Sequence, residues 1–224
     1  METAMPCLVL LCKRPAPGYA KQRLAATLGQ DAALSVAQAL LACALEDLQQ
    51  WPGQRVIAPD RRQNLPWAHS LAGEALCRAQ HDGNLGERIN QLDQALRRDG
   101  QHRLIFIGSD CPALSPADYR HVAQLLQRFD TVLFDARDGG VVLMASNRPW
   151  PDLRTLPWST DRLGSALAAH CRQAGHSVAS AGKSFDIDRA EDLSPLAALL
   201  REDRRPARQA LRTTLECLGI GHDA

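Results

Sequence analysis

"LIFIGSDCPAL", residues 104–114, begins as an unbroken run of apolar β-formers, stops at Gly108-Ser109, exposes a carboxylate at Asp110 and then meets Pro112. A continuous apolar run of this length, bounded by a turn, is the pattern of a strand buried on both faces. Ser115 then offers a helix N-cap, Pro116 fits the first helical position and Asp118 the first turn, so a helix is expected to run to about Arg128. Strand, acid-bearing turn, helix is the repeating unit of a layered α/β fold. In such sheets ligands bind outside the carboxyl ends of the strands, which is where this turn leaves Asp110. A carboxylate there can hold a divalent cation through hard oxygen ligands, or it can simply cap the turn into the helix.

Working outward, the same alternation recurs. "CLVLLC" (7–12) reads as a buried strand, 30–50 as an alanine- and leucine-rich helix, and "QRVIAP" (54–59) as a strand. A short helix through "LPWAHSLAG" (65–73), a strand near "ALCRAQ" (75–80) and a helix over 85–98 complete the first half. Downstream, "TVLFDA" (131–136) and "GVVLMAS" (140–146) are two more strands, joined by "RDGG" (137–140). No internal repeat or low-complexity linker interrupts this. The expectation is one α/β domain over 1–200, with a mostly parallel central sheet flanked by helices. From Arg201 onward, "REDRRPARQALRTTLECL" (201–218) is charged, broken by Pro206 and then amphipathic. It is expected to be a peripheral helical tail over 201–224 whose basic run is a solvated helix face.

With 224 residues the chain suffices for one well-buried domain, and its net charge of +1 gives no global field to draw in nucleic acid or an anionic membrane. Any attraction for anions must therefore be local, and the expected partners are small molecules. The seven cysteines are scattered, with no CxxC pair and no histidines at zinc-finger spacing, as in a reduced cytoplasmic chain. The apolar run at 7–12 is too short to span a bilayer.

The loop after the first strand, "KRPAPGYAKQRL" (13–24), carries Lys13, Arg14, Lys21 and Arg23 among prolines and Gly18. Arg and Lys supply the fork and the point charge that suit phosphate oxygens, and glycine lets backbone approach a ligand. A solvated basic turn is the other reading, and no GK[ST] phosphate loop is present. Two further acid-bearing turns fall at expected strand ends: "RDGG" with Asp138, Gly139 and Gly140, and "FDIDRAEDL" (185–193) with Asp186 and Asp188. Asp138-Gly139 also fits a plain hairpin turn. Asp188 with Glu191 three residues on has the outline of a capping box, which leaves Asp186 free to face the crevice.

Taken in order, "KRPAPGYAKQRL", "NLGERI", "GSDCPAL", "DGG", "WSTDRL" and "DIDRAEDL" resemble the bacterial glycosyltransferases of the arsenosugar-biosynthesis type, also called radical-SAM/selenodomain-associated transferases. The resemblance runs from Leu8 to about Leu196. It implies the GT-A-like fold of the nucleotide-diphospho-sugar transferases, shared more distantly with the molybdenum-cofactor and phospholactate nucleotidylyltransferases. It further implies that Lys13, Lys21 and Arg23 meet the nucleotide phosphates and that Gln80, Leu85 and Gly86 border the base. Asp110 would hold Mg²⁺ or Mn²⁺ in place of the usual acid pair, with Asp186 or Asp188 as a second metal ligand if the reaction is nucleotidyl transfer, and Asp138, Gly139 and Gly140 would face the transferred group. Trp158 could stack on a sugar and Asp161 take a proton from an acceptor hydroxyl; a core tryptophan and a helix-capping acid are the alternatives. This chain has KQRL, DGGV and MAS where the family has KTRL, DGGY and a glycine.

The function expected from these residues is metal-dependent transfer of a sugar from a nucleoside-diphosphate sugar to a small-molecule acceptor. Nucleotidyl transfer with pyrophosphate release uses the same loop and acids, and a non-catalytic nucleotide-binding protein keeps the fold without turnover.

Overall fold

The computed structural model describes residues 4–19 and 21–221. Its seven strands are β1 (Cys7–Cys12), β2 (Arg55–Pro59), β3 (Leu76–Cys77), β4 (Leu104–Ile107), β5 (Thr131–Ala136), β6 (Val141–Ser146) and β7 (Val178–Ser184). They form one sheet in the order β3-β2-β1-β4-β6-β5-β7, in which β6 alone runs antiparallel to its neighbours β4 and β5. The reversal follows from the "RDGG" turn: Gly139, with φ +91°, closes a tight hairpin between β5 and β6. The parallel strands are joined through helices, as right-handed crossovers require.

The helices are α1 (Gln22–Leu28), α2 (Gln30–Gln50), α3 (Leu65–Ala72), α4 (Leu85–Arg98), α5 (Pro116–Leu125), α6 (Leu163–Gln173), α7 (Leu193–Leu200) and α8 (Pro206–Cys217). Capping chemistry sets two of the starts. Asn84 and Glu87 exchange side-chain and backbone bonds at α4, and Ser115 and Asp118 do the same at α5, where Pro116 takes the first turn. α5 ends at Leu125, earlier than the expected Arg128, and a turn carries the chain on. The strand expected near 75–80 shrinks to two residues at the sheet edge, where only β2 pairs with it.

Alternate residues of the strands feed two cores, one on each face. Leu8, Leu10, Ile57, Ile105, Ile107 and Phe134 pack towards α2, α3 and α5, while Val9, Val56, Phe106, Leu133 and Met144 pack towards α4 and α6. A third cluster joins α1, α2, α7 and α8 through Leu24, Leu40, Leu196, Leu211 and Leu215, all essentially sealed from solvent. One residue of the basic run departs from the expected solvated face, while Arg201 and Arg204 are exposed. Arg208 is wholly buried rather than solvated, because Asp47 and Glu46 of α2 meet it inside.

All seven cysteines carry free thiols. Among the described residues, no helix is long and apolar enough to cross a membrane.

Candidate functional site

The carboxyl ends of the parallel strands gather most of the charged residues singled out in the sequence. Lys21 precedes α1 in the left-handed conformation (φ 54°, ψ 46°), with no side chain capping the helix. Its own side chain is 9% exposed and its Nζ lies 2.9 Å from the Asp110 carboxylate, while also donating to the Ile187 carbonyl. Arg23, two residues on, pairs with Asp188. Loop and acids, 89 and 165 positions apart in sequence (21 to 110, 23 to 188), are thus in direct contact.

Backbone bonds hold this arrangement together. The segment leaving β7 turns back so that the Ile187 N–H donates to the Asp110 carbonyl (2.8 Å), and the Cys111 thiol donates to the Phe185 carbonyl (3.2 Å). Asp186 lies between these anchors. Its pKa is raised, first by burial and then by the nearby charges of Asp138 and Asp110, with Lys21 offsetting them only in part. Asp110, Asp138 and Lys21 thus all act on Asp186 at the rim, burial being the larger cause of its shift.

Asp188 does not cap the following helix. The Asp192 carboxylate accepts from the N–H groups of Asp188 and Arg189 (2.9 and 2.7 Å) ahead of a single 3₁₀ turn, and the Asp188 carboxylate is left for Arg23.

At the β5–β6 hairpin, Asp138 is exposed and accepts the Gly140 N–H (2.9 Å), so the hairpin-turn reading holds in full. Gly139 is pressed against the start of α6. A Cβ there would stand 1.9 Å from the Asp161 carbonyl oxygen, and the Gly139 carbonyl accepts the Gly164 N–H (2.9 Å). Asp161 itself is exposed. With Gly139, Gly140, Ser180, Arg172 and Lys183 it lines a hollow of ≈ 380 Å³ beside the edge strand β7, within the size range of small-molecule sites.

Gln80, Leu85, Gly86 and Trp158 form a second group. Gln80 is buried, its Nε2 donating to the Ala58 carbonyl (2.7 Å) and its Oε1 accepting from Arg88 (3.4 Å). Leu85 and Gly86 open α4, and a Cβ on Gly86 would strike both the Leu153 carbonyl (2.2 Å) and the Trp158 indole nitrogen (2.7 Å). The Trp158 N–H is already donated to Leu153 (2.8 Å), and its ring is partly buried against the core. Lys13 is exposed directly beyond β1.

Asp60 stands immediately after β2, in the same strand-then-acid pattern as Asp110, and the sequence carried that signal. It is nearly buried, accepts from Tyr19 and Asn64, and has Arg61 4.0 Å away; the Arg61 guanidinium also covers the Tyr19 ring at 4.5 Å. Its neighbours Tyr19, Arg61 and Asn64 border a second hollow of ≈ 480 Å³ with Arg14, Pro15 and Pro17. Among the described residues, the two non-glycines with positive φ, Lys21 and Ser159, both lie in loops carrying candidate site residues. Such conformations cost free energy and persist where the surroundings over-determine them.

Among the described residues, no three His, Cys, Asp or Glu side chains converge to hold a metal ion unaided. Mg²⁺ does not require such a cage, since it is commonly bound by one or two carboxylates together with substrate phosphates and water. Asp110 and Asp186 share the rim closely enough for the Asp110 charge to raise the Asp186 pKa, and Lys21 pairs with Asp110.

The fold matches solved structures over nearly the whole chain. A crystal structure described as a "putative nucleotide-diphospho-sugar transferase" from Desulfovibrio desulfuricans G20 superposes with a TM-score of 0.85 at 23% identity, covering 96% of this chain and 97% of that one. A nucleotidyl transferase from Methanothermobacter thermautotroptrophicus follows at 0.54 and 16% identity (88% and 99% covered). A CMP:2-keto-3-deoxy-manno-octonic acid synthetase, complexed with CTP, superposes at 0.52 and 12% identity (87% and 98% covered). No curated protein shows significant similarity. At these identities the likenesses establish the α/β fold of the nucleotide-diphospho-sugar transferases. The sequence pattern of one family spans residues 40–160, more than half of the chain, which therefore belongs to the family described as "Uncharacterized protein conserved in bacteria (DUF2064)".

Proposed function

We propose that this chain is a metal-dependent glycosyltransferase that moves a sugar from a nucleoside-diphosphate sugar to a small-molecule acceptor. The observation that carries the reading is the contact between the cationic loop and the strand-end acids, Lys21 with Asp110 and Arg23 with Asp188. Opposite charges held at one rim of an open sheet suit a ligand that brings both phosphate and cation.

On this reading Lys13, Lys21 and Arg23 take the diphosphate, while Gln80, Leu85 and Gly86 border the base. Asp110 and Asp186, with Asp188 beside them, are the residues to hold Mg²⁺ or Mn²⁺; the bound ion supplies Lewis-acid charge to the diphosphate oxygens. The backbone of Gly139 and Gly140 lies against the transferred sugar, with Asp138 facing it. The acceptor enters from the hollow lined by Asp161, Arg172 and Lys183. Its hydroxyl attacks the anomeric carbon, giving its proton to Asp161, as the bond from that carbon to the diphosphate breaks and the nucleoside diphosphate leaves. Trp158, its N–H engaged, has only its ring to offer the sugar. The free thiols of all seven cysteines support a cytoplasmic setting.

A second reading, nucleotidyl transfer to a phosphorylated small molecule, is favoured by the second acid beside Asp110. Two carboxylates clamp a phosphoryl centre better than one. Incubating the protein and Mn²⁺ with nucleoside-diphosphate sugars, and separately with nucleoside triphosphates plus sugar phosphates, decides between them. Release of nucleoside diphosphate supports sugar transfer, and release of pyrophosphate supports nucleotidyl transfer. A protein that releases neither from a broad panel is not a transferase of either kind.

A further inference from the structure

The turn that carries Asp110 is held from behind by the last helix. Of its carbonyls, that of Asp110 accepts from Ile187 and that of Cys111 from Leu114. The other two with described partners turn inward. The Pro112 carbonyl accepts from Arg208 Nε (3.2 Å), and the Leu114 carbonyl from Arg205 Nη1 (2.9 Å). Arg208 has no solvent-exposed side-chain surface. Its guanidinium also reaches the Cys43 carbonyl (2.6 Å), Glu46 (3.1 Å) and Asp47 (2.6 Å), and Asp47 in turn binds Arg205 (3.0 Å) and the Tyr119 hydroxyl (3.0 Å). Burial opposes the Arg208 charge, but its neighbours, Asp47 foremost with Cys43 and Tyr119, together outweigh it and raise its pKa. One charge network thus spans α2, α5, α8 and the 110–115 turn.

We propose that Arg208, seconded by Arg205, is a positioning residue: it fixes the two inner carbonyls of the turn and so aims Asp110 at the rim. Packing alone does not call for this arrangement, because Leu211 and Leu215 already bury α8 against α2 and α7. A planar guanidinium can satisfy a carboxylate and several carbonyls at once in fixed directions, which a lysine ammonium cannot reproduce. The role of Asp110 in binding rests on the function proposed above; the hold on its turn does not.

The test separates the two. Hydrogen exchange is measured on the full ligand-free chain for the wild type, Arg208→Lys and Arg97→Lys. Arg97 is the matched control: it binds Asp93 and the carbonyls of His102, Ser146, Asn147 and Arg148, away from the 110–115 turn. Arg208→Lys is expected to speed exchange about tenfold at the Leu114 and Ile187 amides, as loss of a charge-assisted bond implies, while Arg97→Lys leaves them unchanged. Should Arg208→Lys fail to fold, Arg205→Gln, at a partly exposed position, carries the same expectation at smaller size. Unchanged exchange at both amides, or equal acceleration in both variants, overturns the proposal. Nucleotide titrations with and without Mn²⁺ supply the second readout. Arg208→Lys should weaken the Mn²⁺-dependent part of the affinity about tenfold and spare the rest, and an equal loss in both parts counts against positioning. If the wild type shows no Mn²⁺-dependent binding, the functional reading fails while the exchange result still decides the inference.

Discussion

Two clusters of charge share one chain and answer to different needs. In the cluster around Arg208, two arginines face Asp47, Glu46 and Asp203, their remaining donors end on carbonyls, and the Tyr119 hydroxyl donates to Asp47. At the rim, Lys21 faces Asp110 while Asp186 and Asp138 crowd the same space, and the side chain of Asp110 is 45% exposed. The first cluster is sealed from solvent and the second is open to it. Charge sealed inside is committed to the fold, and charge left at an open rim stays within reach of a ligand.

The sharpest way to break the contrast is Asp47→Ala. It strands Arg208 without its main partner in the interior, and is expected to lower the unfolding free energy by about 3–5 kcal/mol in urea titrations. Asp110→Asn should do the opposite in kind: stability within about 1 kcal/mol of wild type, but loss of Mn²⁺-dependent nucleotide binding by calorimetry. If Asp110→Asn unfolds the protein, Asp110 belongs with the structural cluster.

Next in size is Gly139→Ala. The positive φ and the Asp161 carbonyl 1.9 Å from the added Cβ force the hairpin off α6, at an expected cost of about 1–3 kcal/mol in thermal or urea unfolding.

The pH dependence of the rim follows from the sign of one shift. The folded-state pKa of Asp186 lies above its unfolded value, so the folded chain binds the extra proton more readily. Its contribution favours folding below the unfolded pKa of 3.8 and is lost as pH rises through the folded pKa. At neutral pH Asp186 is therefore a small liability. Asp186→Asn should raise stability there by less than about 1 kcal/mol after solvent screening and flatten this part of the urea midpoint's pH profile. A drop in stability at neutral pH would mean that Asp186 is already fully compensated. Smallest is Arg23→Gln, at an exposed pair: stability within about 0.5 kcal/mol, but a shallower dependence of nucleotide affinity on salt.

The fold was legible where local chemistry speaks for itself. The unbroken apolar runs at 7–12 and 104–107 became the central strands, and Ser115 capped the helix that follows the second of them. Helix α1 gave no such signal, because it begins after Lys21 with no capping side chain and no acid in its first turn. The capping role outlined for Asp188 passed to Asp192 because a 3₁₀ turn intervenes before α7. In the site, the strand-end acids could be read singly, but their partners could not. Nothing in "KQRL" says that Lys21 reaches Asp110, and nothing in "RRPAR" says that Arg208 finds Asp47 161 positions earlier. Pairings of that range are decided by topology, and here by the return of the chain from β7.

That return has a mechanical consequence. β7 is the outermost strand and β4 lies near the middle of the sheet, yet three residues, Phe185 to Ile187, bridge from the end of one to the turn beyond the other. Asp186 lies within this span and the Asp110 carbonyl receives its far end, so the spacing between the two acids follows from the length of a short strap. Inserting a single residue there would slacken both ends together, and a molecule gripping either acid would tug on the sheet's far border.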